Sequence, residues 1–184
     1  MARGTSYANR SLEMESLTAS RATTTTDKTK SSPGWGLLKR KVVFSIAIKE
    51  YSMSRDSTRQ LSPSFKVREF ACKGSDVVLL DDELVVLLQC IREHFGKPVH
   101  ITSGYRTAAH NAAVGGSKSS QHLLGRAADF YVEGVDVATV AAYAETLLPG
   151  RGGIGRYPKD AKHPTRKTGW VHIDTRANKS RWSM

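Results

Sequence analysis

The chain has 184 residues, of which 39% are apolar, and a formal charge of +11. That length supports one domain with its own core, and no stretch approaches the ~20 apolar residues of a membrane-spanning helix. The two cysteines, Cys72 and Cys90, do not form a CxxC pair. This excludes a cysteine zinc cluster and leaves two separate buried thiols or one disulfide.

Charge is unevenly spread: residues 1–60 hold 11 Lys/Arg against 5 Asp/Glu. Such an excess favours anionic partners, whether nucleic acid, anionic lipid or acidic wall polymers. No Arg/Lys run is interleaved with aromatics, so specific nucleic-acid binding is not expected. Residues 1–33 are Ser/Thr-rich without hydrophobic period and read as disordered. The run "VVFSIAI" could be a strand but has no evident partner nearby. "KRKVVFSIAI" starts too late and is too short for a secretory signal. Residues 1–60 are therefore expected to be a basic, disordered appendage, and 61–184 the folded domain.

From residue 61 the pattern is regular. "DDELVVLLQCIREHFG" (81–96) carries apolar residues at helical spacing, acids at its start and a glycine at its end. "KPVHITSGYR" (97–106) reads as a strand entering a loop, and "TAAHNAAVGG" (107–116) as a short helix. "RAADFYVEG" (126–134) reads as a strand, and "DVATVAAYAETLLPG" (136–150) as a helix capped by Asp136. Strands at 152–158 and 169–176 flank a basic loop. Helices and short strands out of regular βαβ alternation indicate an α+β fold.

Of six histidines, His94, His100, His110 and His163 sit in ordinary surface, strand, helix or loop contexts. His122 and His172 do not. In "WVHID", His172 and Asp174 share one face of a strand, while Val171 and Ile173 take the other. In "SSQHLLGRAADF", a largely apolar run carries His122 and Asp129. The three residues His122, Asp129 and His172 supply imidazole and carboxylate without cysteine. That set suits a zinc site with an open fourth position rather than a closed structural one.

The strings "SGYRTAAHNAAVGGSKSSQHLLGRAADF" and "WVHIDTR" resemble the zinc D-Ala-D-Ala carboxypeptidase family, peptidase family M15, whose fold is shared with the hedgehog signalling domain. Its motif S-x-H-x-x-G-x-A-x-D is met by Ser120, His122, Gly125, Ala127 and Asp129, and its later histidine by His172. Arg106 of "SGYR" also matches, and the likeness runs over roughly residues 61–184. The resemblance implies a small, mostly antiparallel sheet packed against helices, with one zinc ion at the sheet edge held by His122, Asp129 and His172. It implies a monomeric metallopeptidase acting on peptidoglycan stem peptides or cross-links, as a carboxypeptidase or as an endopeptidase of the lysin kind. A non-catalytic, zinc-stabilised cell-wall-binding module is the alternative. Such an enzyme acts at the cell wall, exported or released as a phage-type lysin, although no clear signal peptide is present.

Arg106 would face the substrate carboxylate or developing oxyanion through its planar fork, or else close a loop salt bridge. Ser120 would bind substrate or cap a turn. Many family members carry an acid three residues before the last histidine, where this chain has Gly169. Asp174 is the substitute, as catalytic base or as the acceptor that orients a ligand ring.

Overall fold

The computed structural model describes residues 48–160 and 169–184. β1 (Ile48–Ser52) pairs antiparallel with β2 (Val77–Asp81), and α1 (Met53–Asp56) and a 3-10 turn at Val67–Phe70 lie between them. α2 (Asp82–Phe95), β3 (Val99–Ser103), α3 (Ala108–Ala113) and a second 3-10 turn, Gln121–Leu124, follow. Then come β4 (Ala127–Val132), α4 (Val137–Leu147), β5 (Gly153–Tyr157), β6 (Trp170–Asp174) and β7 (Ser180–Ser183). The last five strands form one sheet in the order β3-β4-β6-β5-β7, antiparallel except where β5 lies beside β7. This is an α+β fold built on a mostly antiparallel sheet. Among the described residues no helix is long and apolar enough to cross a membrane.

The helices begin and end where their chemistry dictates. The Asp81 carboxylate accepts from the Glu83 N–H at 3.0 Å and caps α2, while Gly96 closes it in the left-handed region at φ 59°. Leu84, Val85, Leu87, Leu88 and Ile91 are buried along one side of α2. A cap contributes about 1 kcal/mol and each buried aliphatic roughly 1.5–3 kcal/mol. Packing therefore decides where α2 lies, and the cap decides where it starts. Asp136 caps α4 in the same way, accepting from Thr139 N at 3.0 Å.

Alternation divides the sheet into two faces. Ala128, Phe130, Ile154, Val171 and Ile173, none more than 3% exposed, join the core under α2 and α4. The other face carries a row set by strand register: Ser103 on β3, Asp129 on β4, His172 on β6, Gly155 on β5 and Trp182 on β7.

One expectation changes. The packed structure does not begin at residue 61: β1 lies inside the expected appendage, yet it pairs with β2 along its whole length and buries Tyr51. The physical reason is that a strand needs a partner, and β1's partner lies some 25 residues on, beyond the reach of a local pattern. Residues 1–47, including the Ser/Thr-rich segment and most of "VVFSIAI", lie outside the described residues, as does His163. Cys72 and Cys90 are separate free thiols, the former buried.

The turn carrying the first motif is pinned against β2. Gly125 ends that turn at φ 67°, its carbonyl accepts from Asp81 N at 2.9 Å, and a Cβ there would fall 2.2 Å from the Leu79 carbonyl oxygen. Gly125→Ala is expected to cost more than about 2 kcal/mol, since left-handed backbone alone costs roughly 1–2 kcal/mol and a rigid backbone clash adds to it. Urea denaturation measures this; an unchanged midpoint would contradict the packing described.

Candidate metal centre

Three elements deliver the site. His122 stands on the 3-10 turn whose first N–H groups are capped by Ser120, the Ser120 hydroxyl accepting from His122 N at 3.4 Å. Asp129 and His172 come from β4 and β6, where they are register partners. Both strands are interior to the sheet, so the cluster sits on the sheet's middle and not at its edge as expected. Alternation places it there, because the same pleat that buries Val171 and Ile173 turns His172 and Asp174 to the opposite face. His122, Asp129 and His172 each offer a ligand atom within 4.8 Å of the others, and all three are buried.

Outer partners fix which nitrogens face inward. His122 Nδ1 lies 2.7 Å from the Gly104 carbonyl oxygen and must carry the proton there, which leaves Nε2 with its lone pair toward the cluster. His172 Nε2 lies 3.0 Å from Asp174 Oδ2, so it donates to that carboxylate and turns Nδ1 inward. The two inward nitrogens are 3.2 Å apart, with Asp129 Oδ1 at 2.8 Å from His172 Nδ1 and Asp129 Oδ2 at 3.3 Å from His122 Nε2. Two inward imidazole nitrogens and a carboxylate, with the second ring nitrogens held by outer acceptors, are a donor set suited to a divalent metal, which would replace the protons now shared with Asp129.

Electrostatics follow. Burial alone pushes the Asp129 carboxyl up, but hydrogen bonds to His122 and His172, reinforced by their charge, hold it well below the usual carboxylate range. Burial opposes charge on His172, yet its bonds to Asp129 and Asp174 win and raise its pKa. Arg106 adds the third partner of Asp129: its Nη2 donates to Oδ2 while its Nε donates to Ser103 Oγ at 2.7 Å.

Asp174 is 0% exposed and accepts from Gly153 N at 2.9 Å, from Arg176 N at 3.1 Å, from the Arg176 guanidinium at 2.6–3.0 Å, and from His172. Burial raises its pKa, but the His172 and Arg176 bonds lower it more. This enclosed carboxylate is held against His172 Nε2 and is not among the residues that line the cleft. No simple change restores the acid at 169: Gly169 has φ 68°, and a Cβ would lie 2.6 Å from the Tyr157 carbonyl oxygen.

β5 makes room for all of this. A Cβ at Gly153 would meet Asp174 Oδ2 at 2.1 Å, and one at Gly155 would meet the Trp182 ring at 2.4 Å. The two glycines alternate with core-facing Ile154, so "GGIG" is a strand with one face cleared for the site. Trp182 lies over that space and donates from Nε1 to Tyr157 Oη at 2.9 Å. An open cleft of about 950 Å³ lies above, bounded by the Gly/Ser loop at 115–120, by Tyr157, Trp170 and Trp182, and by Arg106 and Arg176. Arg176 was missed in the sequence. The signal for Arg176 was present in "HIDTR", where residues 172, 174 and 176 alternate onto one side.

The peptidase M15 family profile matches residues 63–174. Peptidoglycan L,D-endopeptidase MepK of Escherichia coli strain K12 is 34% identical over 84 residues, covering 43% of this chain and 41% of MepK. The MepK of Shigella flexneri matches equally. A probable peptidoglycan L,D-endopeptidase MepK of Haemophilus influenzae is 34% identical over 82 residues, covering 42% of this chain and 39% of its own. The match thus spans about two fifths of each relative's length.

The buried Asp174 network predicts a contrast in stability. Asp174→Asn should cost about 1–3 kcal/mol, because it weakens the acceptor for buried and charged donors. Glu145→Gln, at an exposed pair with Lys179 and Arg181, should cost less than about 1 kcal/mol. Equal losses in urea denaturation would contradict the network.

Proposed function

This chain belongs to the peptidase M15 family, and from that premise we propose that it is a zinc-dependent peptidase hydrolysing peptide bonds in peptidoglycan stem peptides or cross-links. The observation that carries the reading is the His122–Asp129–His172 cluster at the floor of an open cleft, with both imidazoles oriented from behind. Two nitrogens and one oxygen fit zinc and leave a coordination position free. A bound zinc supplies Lewis acidity toward the scissile carbonyl and the attacking water. The names of the MepK relatives favour an endopeptidase over a carboxypeptidase, and a place of action at the cell wall.

The chain's own residues do the rest. Gly104 and Asp174 hold the two imidazoles in their ligating tautomers. Arg106 neutralises Asp129 and keeps Nη1, which has no hydrogen bond among the described residues, for the substrate carbonyl or carboxylate. Ser120 caps the ligand turn and borders the cleft. Among the described residues the cleft lining includes no carboxylate besides Asp129, and that observation favours the second reading, a zinc-stabilised wall-binding module without turnover.

Digestion of purified peptidoglycan separates the two. A peptidase generates new peptide termini by mass spectrometry, loses that activity to a chelator and regains it with zinc. A binding module pelleting with the wall and releasing nothing under the same conditions would refute the proposal. Within the peptidase reading, Asp174→Asn should lower activity or metal affinity about 10- to 100-fold, the usual cost of losing an outer partner of a metal-bound histidine. Unchanged zinc affinity together with complete loss of turnover would instead mark Asp174 as the proton acceptor.

A further inference from the structure

We infer that Arg176 forms a second anion subsite in the cleft, which selects peptides bearing a free carboxylate to one side of the scissile bond. The inference deepens the peptidase reading and rests on it for the identity of the ligand as a peptide.

Arg176 is held on two sides. Its Nε and Nη2 donate to Asp174, at 2.8 and 2.6 Å, and its guanidinium carbon lies 5.7 Å from the centre of the Trp182 ring. The bond to a fully buried carboxylate and the aromatic face together fix the plane of the group, which cuts the entropy lost on binding. Its third nitrogen, Nη1, has no hydrogen bond among the described residues, and the side chain is 33% exposed at the cleft wall. Arg106 repeats this arrangement across the metal cluster, anchored on Asp129 and Ser103 with Nη1 unused. Each arginine therefore stands between a buried carboxylate and the cleft. Both guanidiniums line the cleft, and the Gly/Ser loop that also lines it brings no acid to compete.

An anchored, stacked guanidinium with a spare N–H pair recognises a carboxylate better than an amide, because the bond is charge-assisted and the site is partly dry. Stem peptides present such carboxylates, and their amidation removes the charge while keeping the shape. The Arg176 subsite would therefore read the amidation state of the substrate.

The test uses the full zinc-loaded chain and a labelled stem tetrapeptide together with its singly amidated forms. Binding is read by fluorescence anisotropy in the first second after mixing, before turnover. Amidating one particular carboxylate should weaken binding about tenfold, and Arg176→Gln should erase that difference while leaving the effect of amidating the other positions. If Arg176→Gln does not fold, Arg176→Lys keeps a cation against Asp174 but loses the fork, and should shrink the difference at least threefold. A preference that survives unchanged in the variant that folds, or no carboxylate preference in the native chain, overturns the inference. Cleavage is scored separately: selective binding with no cleavage leaves the subsite standing and removes the peptidase reading.

Discussion

Everything around the cleft answers to one constraint, the ionised Asp129 carboxylate held in the middle of a sheet at 9% exposure. A charge in that position is tolerable only if it is paired and hydrogen-bonded on every side. Arg106, His122 and His172 supply the pairing, and each arrives from a different element. Arg106 is in turn fixed by Ser103, His122 by Gly104, and His172 by Asp174, which itself needs Gly153 and Arg176. Two layers of polar partners are therefore built outward from a single acid. The apolar layer beneath, from Phe130 to Ile173, keeps the strands in the register that brings these groups together.

The same logic explains why the site occupies interior strands. An edge strand could present a histidine, but it could not surround it. On β6, His172 has Asp129 in register on one side and Gly155 on the other. The glycine in that row is what admits Trp182, and the glycine in the next admits Asp174. Close packing against a missing side chain makes β5 part of the site without contributing a functional group to it.

Much of this was legible in the sequence, for physical reasons that differ by element. α2 and α4 announced themselves by apolar spacing and by the acids Asp81 and Asp136, which do cap them. The facing of His172 and Asp174 away from Val171 and Ile173 followed from the two-residue period of a strand. The gathering of His122, Asp129 and His172 came from the motif, since no local rule joins residues 43 apart. What was not legible is non-local. β1 needed β2 to be recognised as a strand, and β7 needed a parallel neighbour, β5, that precedes it by more than twenty residues. The enclosure of Asp174 depended on Gly153 and on burial, neither visible in "WVHID" alone. Arg176 could have been found by extending the alternation of that string two residues further.

Whether His122, Asp129 and His172 hold one zinc ion is read from elemental analysis of the purified full chain. About one zinc per chain is expected, lost in a His122→Ala variant that circular dichroism shows to be folded. The same zinc content in both proteins, or none in either after reconstitution with excess metal, would contradict it.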